Sequence, residues 1–423
     1  MRKKNILVLG GGGREHVLCW KLAQSEHLNK LHCIPGNAGI EKFAITSPHI
    51  SITDFDSIKK YTEKHEIHYI VVGPEQPLVL GIKDFFEDSP VQVFGPDKDG
   101  AQLEGSKIFT KNFFSKNNIP TPAYHTFFTM DDALYHIRTT SLYPMVIKAD
   151  GLAAGKGVFI AHNEEDAVSS IKEMMELKKF KEAGEKIIIE EFIEGNELSY
   201  QLIVKNGKVI ELKPSQDFKK AYDNDKGPNT GGMGNMCPPS WMNPDILQMV
   251  KENIAYRLVD NLSLAGIQFN GVLFIGLMLT QQGPKALEIN VRFGDPEIQS
   301  VFPLMRTDFI EILEAYFENQ LDEIPIIWEN KCSCCVVVAS KGYPGSCMDL
   351  GHEIIGLDMA GKMKDVMIFH AGTKKVDGKI INSGGRVLNV VGFGKTSEEA
   401  SKKAYEAVEK ISFPGMHYRK DIK

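Results

Sequence analysis

A chain of 423 residues, 43% hydrophobic and 25% charged, has more length than one ordinary core absorbs and predicts roughly two to four structural units. Its 49 basic and 55 acidic side chains leave a net charge of −6, without the basic excess that displaces counterions from nucleic acid, and no apolar run is long enough to span a bilayer. Seven cysteines, odd in number and irregularly spaced, predict a reduced, cytoplasmic protein.

The opening "MRKKNILVLG" has a basic start and a short apolar run but no small-residue cleavage site, so it reads as a first strand and not as a signal peptide. Four glycines and Arg14 follow. The dinucleotide fingerprint needs a third glycine where Glu15 stands, and an acid where the chain gives Pro35, Gly36 and Asn37, so NAD is disfavoured. The glycines still let backbone amides approach an anion at a helix start. A tight turn without ligand is the bland alternative; Arg14 favours a phosphate ester. Up to about residue 100, apolar runs alternate with helical patterns, which predicts an open parallel sheet. Ligands would sit beyond its strand ends, at Gly10 to His16, Pro35 to Gly39 and Gly73 to Pro77.

From about 105 to 325 the pattern changes to antiparallel hairpins. "YPMVIKADGLAAGKGVFIAH" reads as two strands around a glycine-rich turn. It is no Walker A loop: its spacing is one residue short, and Gly157 stands where Ser or Thr should hold magnesium. Gly155 and Lys156 at the tip suit a lid over ATP phosphates, with Lys148 as a fixed cation on the preceding strand; a surface lysine is the alternative for each. "IIIEEFIEGNELS" ends a strand in Glu190, Glu191, Phe192 and Ile193, a connector able to meet an adenine edge, with Glu197 near ribose hydroxyls. An edge strand turning into solvent explains that stretch equally well. In "ALEINVRFGDPE", period two puts Glu288, Asn290 and Arg292 on one face. Two oxygen donors and a guanidinium suit a magnesium ion bridging phosphates, with the arginine on a transferring phosphoryl group. Asp295 and Glu297 follow in a tight turn.

The tail reads as strands at "CSCCVVVAS" and "GGRVLNVVGFG", then an amphipathic helix opened by Thr396 and Glu399 as a capping box. Cys332 and Cys335 have C-x-x-C spacing, but no second pair exists, so the cysteines read as small hydrophobes on a buried strand.

Taken together, "GGREH", "PGNAG", "QLEGSK", "VIKADGLAAGKGV", "GPNTGGMG", "E.N.RFGDPE", "KGYPG", "HAGTK" and "GGRVL", in this order, resemble the phosphoribosylamine–glycine ligase (glycinamide ribonucleotide synthetase) family of the ATP-grasp superfamily, over the whole chain. The resemblance implies an α/β and α+β multidomain fold. It has an N-terminal Rossmann-like substrate domain (1–103), a central ATP-grasp domain (104–120 and 191–327), its lid (121–190) and a mixed α/β C-terminal domain (328–423). It implies a step of purine biosynthesis in which ATP, with Mg²⁺ or Mn²⁺, activates glycine as glycyl phosphate for attack by 5-phosphoribosylamine.

Carried onto this chain, Lys107, Lys148, Gly155, Lys156 and Gly157 would hold ATP phosphates, and Glu190, Glu191, Phe192, Ile193 and Glu197 the nucleoside. Glu288 and Asn290 would hold the metal, and Arg292, Asp295 and Lys148 would serve catalysis. Substrate would meet Gly11, Gly12, Gly13, Arg14 and Glu15, then Asn37, Gly39, Glu75, Pro77 and Asp217, and then Thr230, Gly231, Gly232, Met233, Arg292 and Arg386. Phe218 stands where the family commonly shows His, and Lys220 where it shows Arg, so no role falls to a histidine there. The expected protein is a monofunctional enzyme, a monomer or weak dimer, acting without nucleic acid or membrane. Two rivals stand beside it: another ATP-grasp ligase or carboxylase, and a nucleotide-binding regulator without turnover.

Overall fold

Residues 4 to 94 alternate apolar runs with helices, and in the computed structural model, which describes residues 3–140, 142–153 and 157–423, they form a parallel sheet. Its strands are β1 (Lys4–Gly10), β2 (Leu28–Pro35), β3 (Ile45–Thr46), β4 (Tyr69–Val72) and β5 (Gln92–Phe94), in the order β3-β2-β1-β4-β5. Central β1 is buried along nearly its whole length, as its unbroken apolar run requires. The loops after β1, β2 and β4 emerge together at the carboxyl edge.

A four-stranded antiparallel sheet follows: β6 (Tyr124–Phe127), β7 (Met145–Ala149), β8 (Val158–Ala161) and β9 (Ile187–Glu191), ordered β6-β9-β7-β8. Helices Met130–Thr139 and Glu164–Ile171 cover it, and it has an apolar core of its own around Phe127, Ile137, Ile147 and Ile171. Next, β10 (Asn196–Lys205) turns through Asn206 and Gly207, both at positive φ, into β11 (Lys208–Glu211), the hairpin that Asn-Gly predicts.

Four short strands then leave for other partners: β12 (Gln216–Asp217), the ribbon β13 (Lys220–Tyr222) and β14 (Lys226–Asn229), and β15 (Gly234–Cys237). The chain returns as β16 (Gly271–Thr280) and β17 (Gly283–Asn290), completing the sheet β11-β10-β16-β17.

The last sheet holds β18 (Cys332–Ala339), β19 (Val366–His370) and β22 (Arg386–Gly394), with the ribbon β20 (Thr373–Val376) and β21 (Lys379–Asn382) beside it. Its order is β12-β15-β18-β22-β19. Two of its five strands therefore come from 216–237, a stretch the sequence places in the central unit. Both faces are buried: Cys335, Val337 and Val391 look into the large core with Val17 and Phe302, while Cys334, Val336 and Val390 look toward Ala400 and Ala404 of helix Ser397–Val408. The cysteines are thus packing residues on two faces of one strand. That helix is capped differently from the expected box. Thr396 accepts the Glu399 amide, but the Glu399 carboxylate reaches back to the amide of Lys395, one residue beyond the cap.

Among the described residues, no helix is long and apolar enough to cross a membrane. Phe293, inside "RFGDP", packs against Phe302 at 5.1 Å and Phe94 at 6.1 Å between ring centres. These contacts anchor the turn that follows β17 in the core.

Candidate active site

A cavity of about 490 Å³ lies between the β6–β9 sheet and the end of the β10–β17 sheet. Its floor is the end of β17. Glu288 and Asn290 face it from the strand, and Arg292 does so from just beyond, since the strand stops at Asn290. Arg292 Nη2 donates to Asn290 Oδ1 at 3.0 Å and meets Glu104 Oε1 at 3.0 Å, while its Nε stands 3.5 Å from Glu75. Glu104 also accepts the Val291 amide at 2.7 Å, so one carboxylate fixes both the guanidinium and the backbone that carries it. Burial lifts Glu104 to about 7 against the pull of Arg292.

Glu288 faces Lys219 at 3.6 Å, and Lys219 is also paired with Glu197 at 3.2 Å. Lys219 is the main reason that the Glu288 carboxyl is held down at about 2. It is an anion at any working pH, which suits a hard cation.

One wall carries positive charge. Lys148 of β7 and Lys111 of helix Lys107–Lys116 share Glu190, at 2.9 and 3.2 Å, and all three side chains are buried. Two ammonium groups on one carboxylate leave a surplus positive charge at the cavity. Burial pushes Lys111 down to about 8 despite Glu190, and it lowers Lys107 as well. An anion entering here would relieve that cost. Opposite, Val146, Ile160, Met278 and Leu287 make an apolar slot, with Glu191, Phe192 and Ile193 at its rim.

The other end is a polar junction. Arg386 donates to the carbonyls of Gly231 and Asp295. The Asp295 carboxylate accepts Gln299 Nε2 at 2.7 Å and the Arg14 amide at 3.4 Å. Burial opposes its ionisation, but Arg386 and Arg14 outweigh burial and keep Asp295 below the usual range. Asp217 and Glu297 are buried beside it. Burial lifts both, and the Glu297 charge adds to the lift on Asp217, whose Oδ1 has no hydrogen-bond partner among the described residues.

A second hollow opens at the first loop, lined by Gly10, Gly11, Gly12, Arg14, Glu15 and Pro48 to Ile52. Arg14, Pro74 and Asp295 line both hollows. At the start of helix Gly13–Leu22, the Gly12 amide donates to Glu15 Oε2 at 2.5 Å, and Arg14 Nε pairs with Glu15 Oε1 at 2.8 Å. The anion that this amide holds is therefore the protein's own. Gly10, at φ +119°, has no room for a β-carbon beside that same carboxylate.

The large cavity thus gathers Lys107, Lys148, Gly157, Glu190, Glu191, Phe192, Ile193, Glu197, Glu288, Asn290 and Arg292. It also takes in Arg14, Glu75, Asp217, Thr230, Gly231, Asp295 and Arg386. Gly155 and Lys156 lie outside the described residues. Six expected substrate residues line neither hollow. Asn37 is a bracket: its Nδ2 donates to the carbonyls of Gly11 at 2.9 Å and His370 at 3.0 Å, and its Oδ1 accepts the Gly39 amide at 2.9 Å. Gly39 is packed between His16 and His370, and Gly13 against Asn389 and Gln299. Pro77 is buried in helix Glu75–Val79. Met233 is buried with its amide on the Phe218 carbonyl, and the Gly232 carbonyl accepts from Arg386.

Sequence reasoning missed Lys111, Lys219 and Glu104. Lys111 lies one helical turn after Lys107, a spacing that could have been read. Lys219 and Glu104 gave no local signal.

Comparison with known proteins decides the family. The description "Phosphoribosylglycinamide synthetase, N domain" matches residues 4–104, its ATP-grasp (A) domain matches 105–298 and its C domain 333–423. The chain belongs to the phosphoribosylglycinamide synthetase family. It is 45% identical over 417 residues to a phosphoribosylamine–glycine ligase of Caldanaerobacter subterraneus, covering 99% of each chain. It is 41% identical over 421 residues to the trifunctional purine biosynthetic protein adenosine-3 of Homo sapiens, covering 99% of this chain and 41% of that one. Among solved structures, the phosphoribosylamine–glycine ligase of Thermotoga maritima is similar with a TM-score of 0.85 at 33% identity, covering 99% of this chain and 100% of that one. A biotin carboxylase of Campylobacter jejuni shares the fold at a TM-score of 0.74 and 14% identity, over 98% and 93%. Glycinamide ribonucleotide synthetases are thus its relatives in sequence, and the ATP-grasp fold is its architecture.

Proposed function

We propose that this chain ligates glycine to 5-phosphoribosylamine at the expense of ATP, giving glycinamide ribonucleotide, ADP and phosphate, a step of purine biosynthesis. One observation carries the reading: an anionic Glu288 with Asn290 and Arg292 shares a cavity with the surplus charge of Lys111 and Lys148. The apolar slot suits an adenine ring, and the two lysines with Lys107 suit its phosphates.

The hard oxygens of Glu288 and Asn290 fit a divalent cation, Mg²⁺ or Mn²⁺, which when bound neutralises phosphate charge. Arg292, held by Glu104 and Glu75, steadies the phosphoryl group in transfer. A glycine carboxylate oxygen attacks the γ-phosphorus, the bridging bond to ADP breaks, and glycyl phosphate forms. The amine nitrogen of phosphoribosylamine then attacks the acyl carbon; phosphate leaves and the nitrogen gives up a proton. The carboxylates and Arg386 near Thr230 and Gly231 orient the small substrates, and the hollow at Gly11 to Glu15 takes the sugar phosphate, with Arg14 reaching both. Residues 1–103, 104–120 with 191–327, 121–190 and 328–423 act as substrate domain, ATP-grasp core, lid and C-terminal domain. The lid reading rests on the separate core of the β6–β9 sheet. Closure would keep water from the acyl phosphate.

An ADP-release assay tests this, with phosphoribosylamine generated in place from ribose 5-phosphate and ammonia. Release that needs both glycine and the aminosugar is expected. Release with a different acid or amine would transfer the chain to another ATP-grasp reaction, and no release with any pairing would end the enzyme reading.

A further inference from the structure

The ribbon β13–β14 carries cleft residues but has little fold of its own. It has two cross-strand pairs, Lys220 with Asn229 and Tyr222 with Lys226. A lone ribbon of this size is not stable in water. Its turn residues Asn224 and Asp225 have φ of 57° and 51°.

What grips it is the stretch from His417 to Asp421. Arg419, 1% exposed, donates through Nε and Nη2 to both oxygens of Asp421 at 2.8 and 2.7 Å. Its Nη1 reaches Asp225 Oδ1 at 2.8 Å and the Lys220 carbonyl at 3.2 Å, and its plane lies 5.2 Å over the ring of Phe218. Asp421 also accepts the Asn224 amide at 2.8 Å, the Lys420 amide donates to Asp223 at 2.8 Å, and His417 Nε2 meets the Ala221 carbonyl at 2.8 Å. The stretch is itself fixed from behind. His417 pairs with the backbone of Ala339 at 2.7 and 2.9 Å, and the Tyr405 hydroxyl donates to the Arg419 carbonyl at 2.9 Å. A firmly seated segment thus holds the ribbon at five residues. At the ribbon's open end, Lys219 stands between Glu197 and Glu288, and Asn229 and Thr230 line the cleft.

A guanidinium is costly to bury, and the core beside it is already closed by Phe413 and Ile422. Of the four groups that the Arg419 guanidinium meets, Asp225 and the Lys220 carbonyl lie on the ribbon and Asp421 is tied to it through the Asn224 amide. We propose that residues 417–421 form a strap that sets the position of the β13–β14 ribbon, with Arg419 as the positioning residue for Lys219 and Thr230. Its kinetic consequence rests on the ligase reading above; its structural one does not.

Two variants of the full chain test it. Asp225→Asn is mild, because the side chain is 73% exposed and asparagine accepts left-handed backbone. Arg419→Lys keeps the charge and loses the fork. Amide hydrogen exchange should speed up about tenfold or more in residues 219–230 in both, while 234–237 and 386–394 keep their parent rates. KM for glycine should rise about tenfold through Thr230, and KM for ATP should rise with it, because Lys219 pairs with Glu197 and Glu288. Parent exchange rates in the ribbon would overturn the strap, as would equal acceleration in all three segments. A loosened ribbon with an unchanged KM for glycine would overturn its role in positioning. If the parent shows no glycine-dependent turnover, the ligase reading fails while the exchange rates still decide the strap.

Discussion

Glu190 is the residue whose place in the structure says most about charge in the cleft. The sequence put it on an adenine-facing connector; the structure buries it between Lys111 and Lys148. Glu190→Gln would leave two buried ammonium groups without a counter-charge, which costs about 3 kcal/mol or more. Urea unfolding at pH 7 checks this. ATP should raise the variant's melting temperature more than the parent's, because its phosphates supply the missing charge. Glu104 makes a second prediction. Its carboxyl is raised from 4.5 to about 7, so between those values the native state holds a proton that the unfolded chain gives up. Its contribution to stability is therefore full below about pH 4.5 and lost as pH rises through about 7. Glu104→Gln should flatten that fall, read as urea midpoints at pH 5 and pH 8. Glu288 and Asn290 were legible as neighbours because a strand's period fixes which side chains share a face, and Arg292 joins them from just past the strand's end. The partner of Arg292 was not legible, because Glu104 lies 187 residues before Val291, whose amide it accepts, and nothing local to either announces the other.

Local rules serve single elements well and fail at their joints. The N-terminal alternation, the Asn206–Gly207 hairpin and the helix at Ser397–Val408 all follow from patterning. The box at that helix start does not close as expected, since Glu399 serves Lys395. Thr396 still caps the Glu399 amide, so Thr396→Ala should cost about 1 kcal/mol in urea unfolding with turnover unchanged. The destination of β12 and β15 was hidden for a different reason. Two- and four-residue strands carry too little periodicity to declare a sheet, still less a sheet built mostly 100 residues later.

For the molecule as a whole, that exchange of strands sets what can stand alone. Residues 328–423 expressed by themselves would lack β12 and β15, leaving the edge of β18 unpaired. That fragment should give no dispersed amide spectrum, whereas a fragment joined to residues 212–240 should gain order; a well-folded lone fragment would contradict the strand order. Asn37 bridges the first loop to the His370 carbonyl, 333 residues further along. At about 5–20 residues per second of synthesis, the loop leaves the ribosome roughly twenty seconds to a minute before its bracket has anything to hold. A nascent chain paused before residue 366 therefore possesses every lysine of the cleft and an unfinished glycine loop.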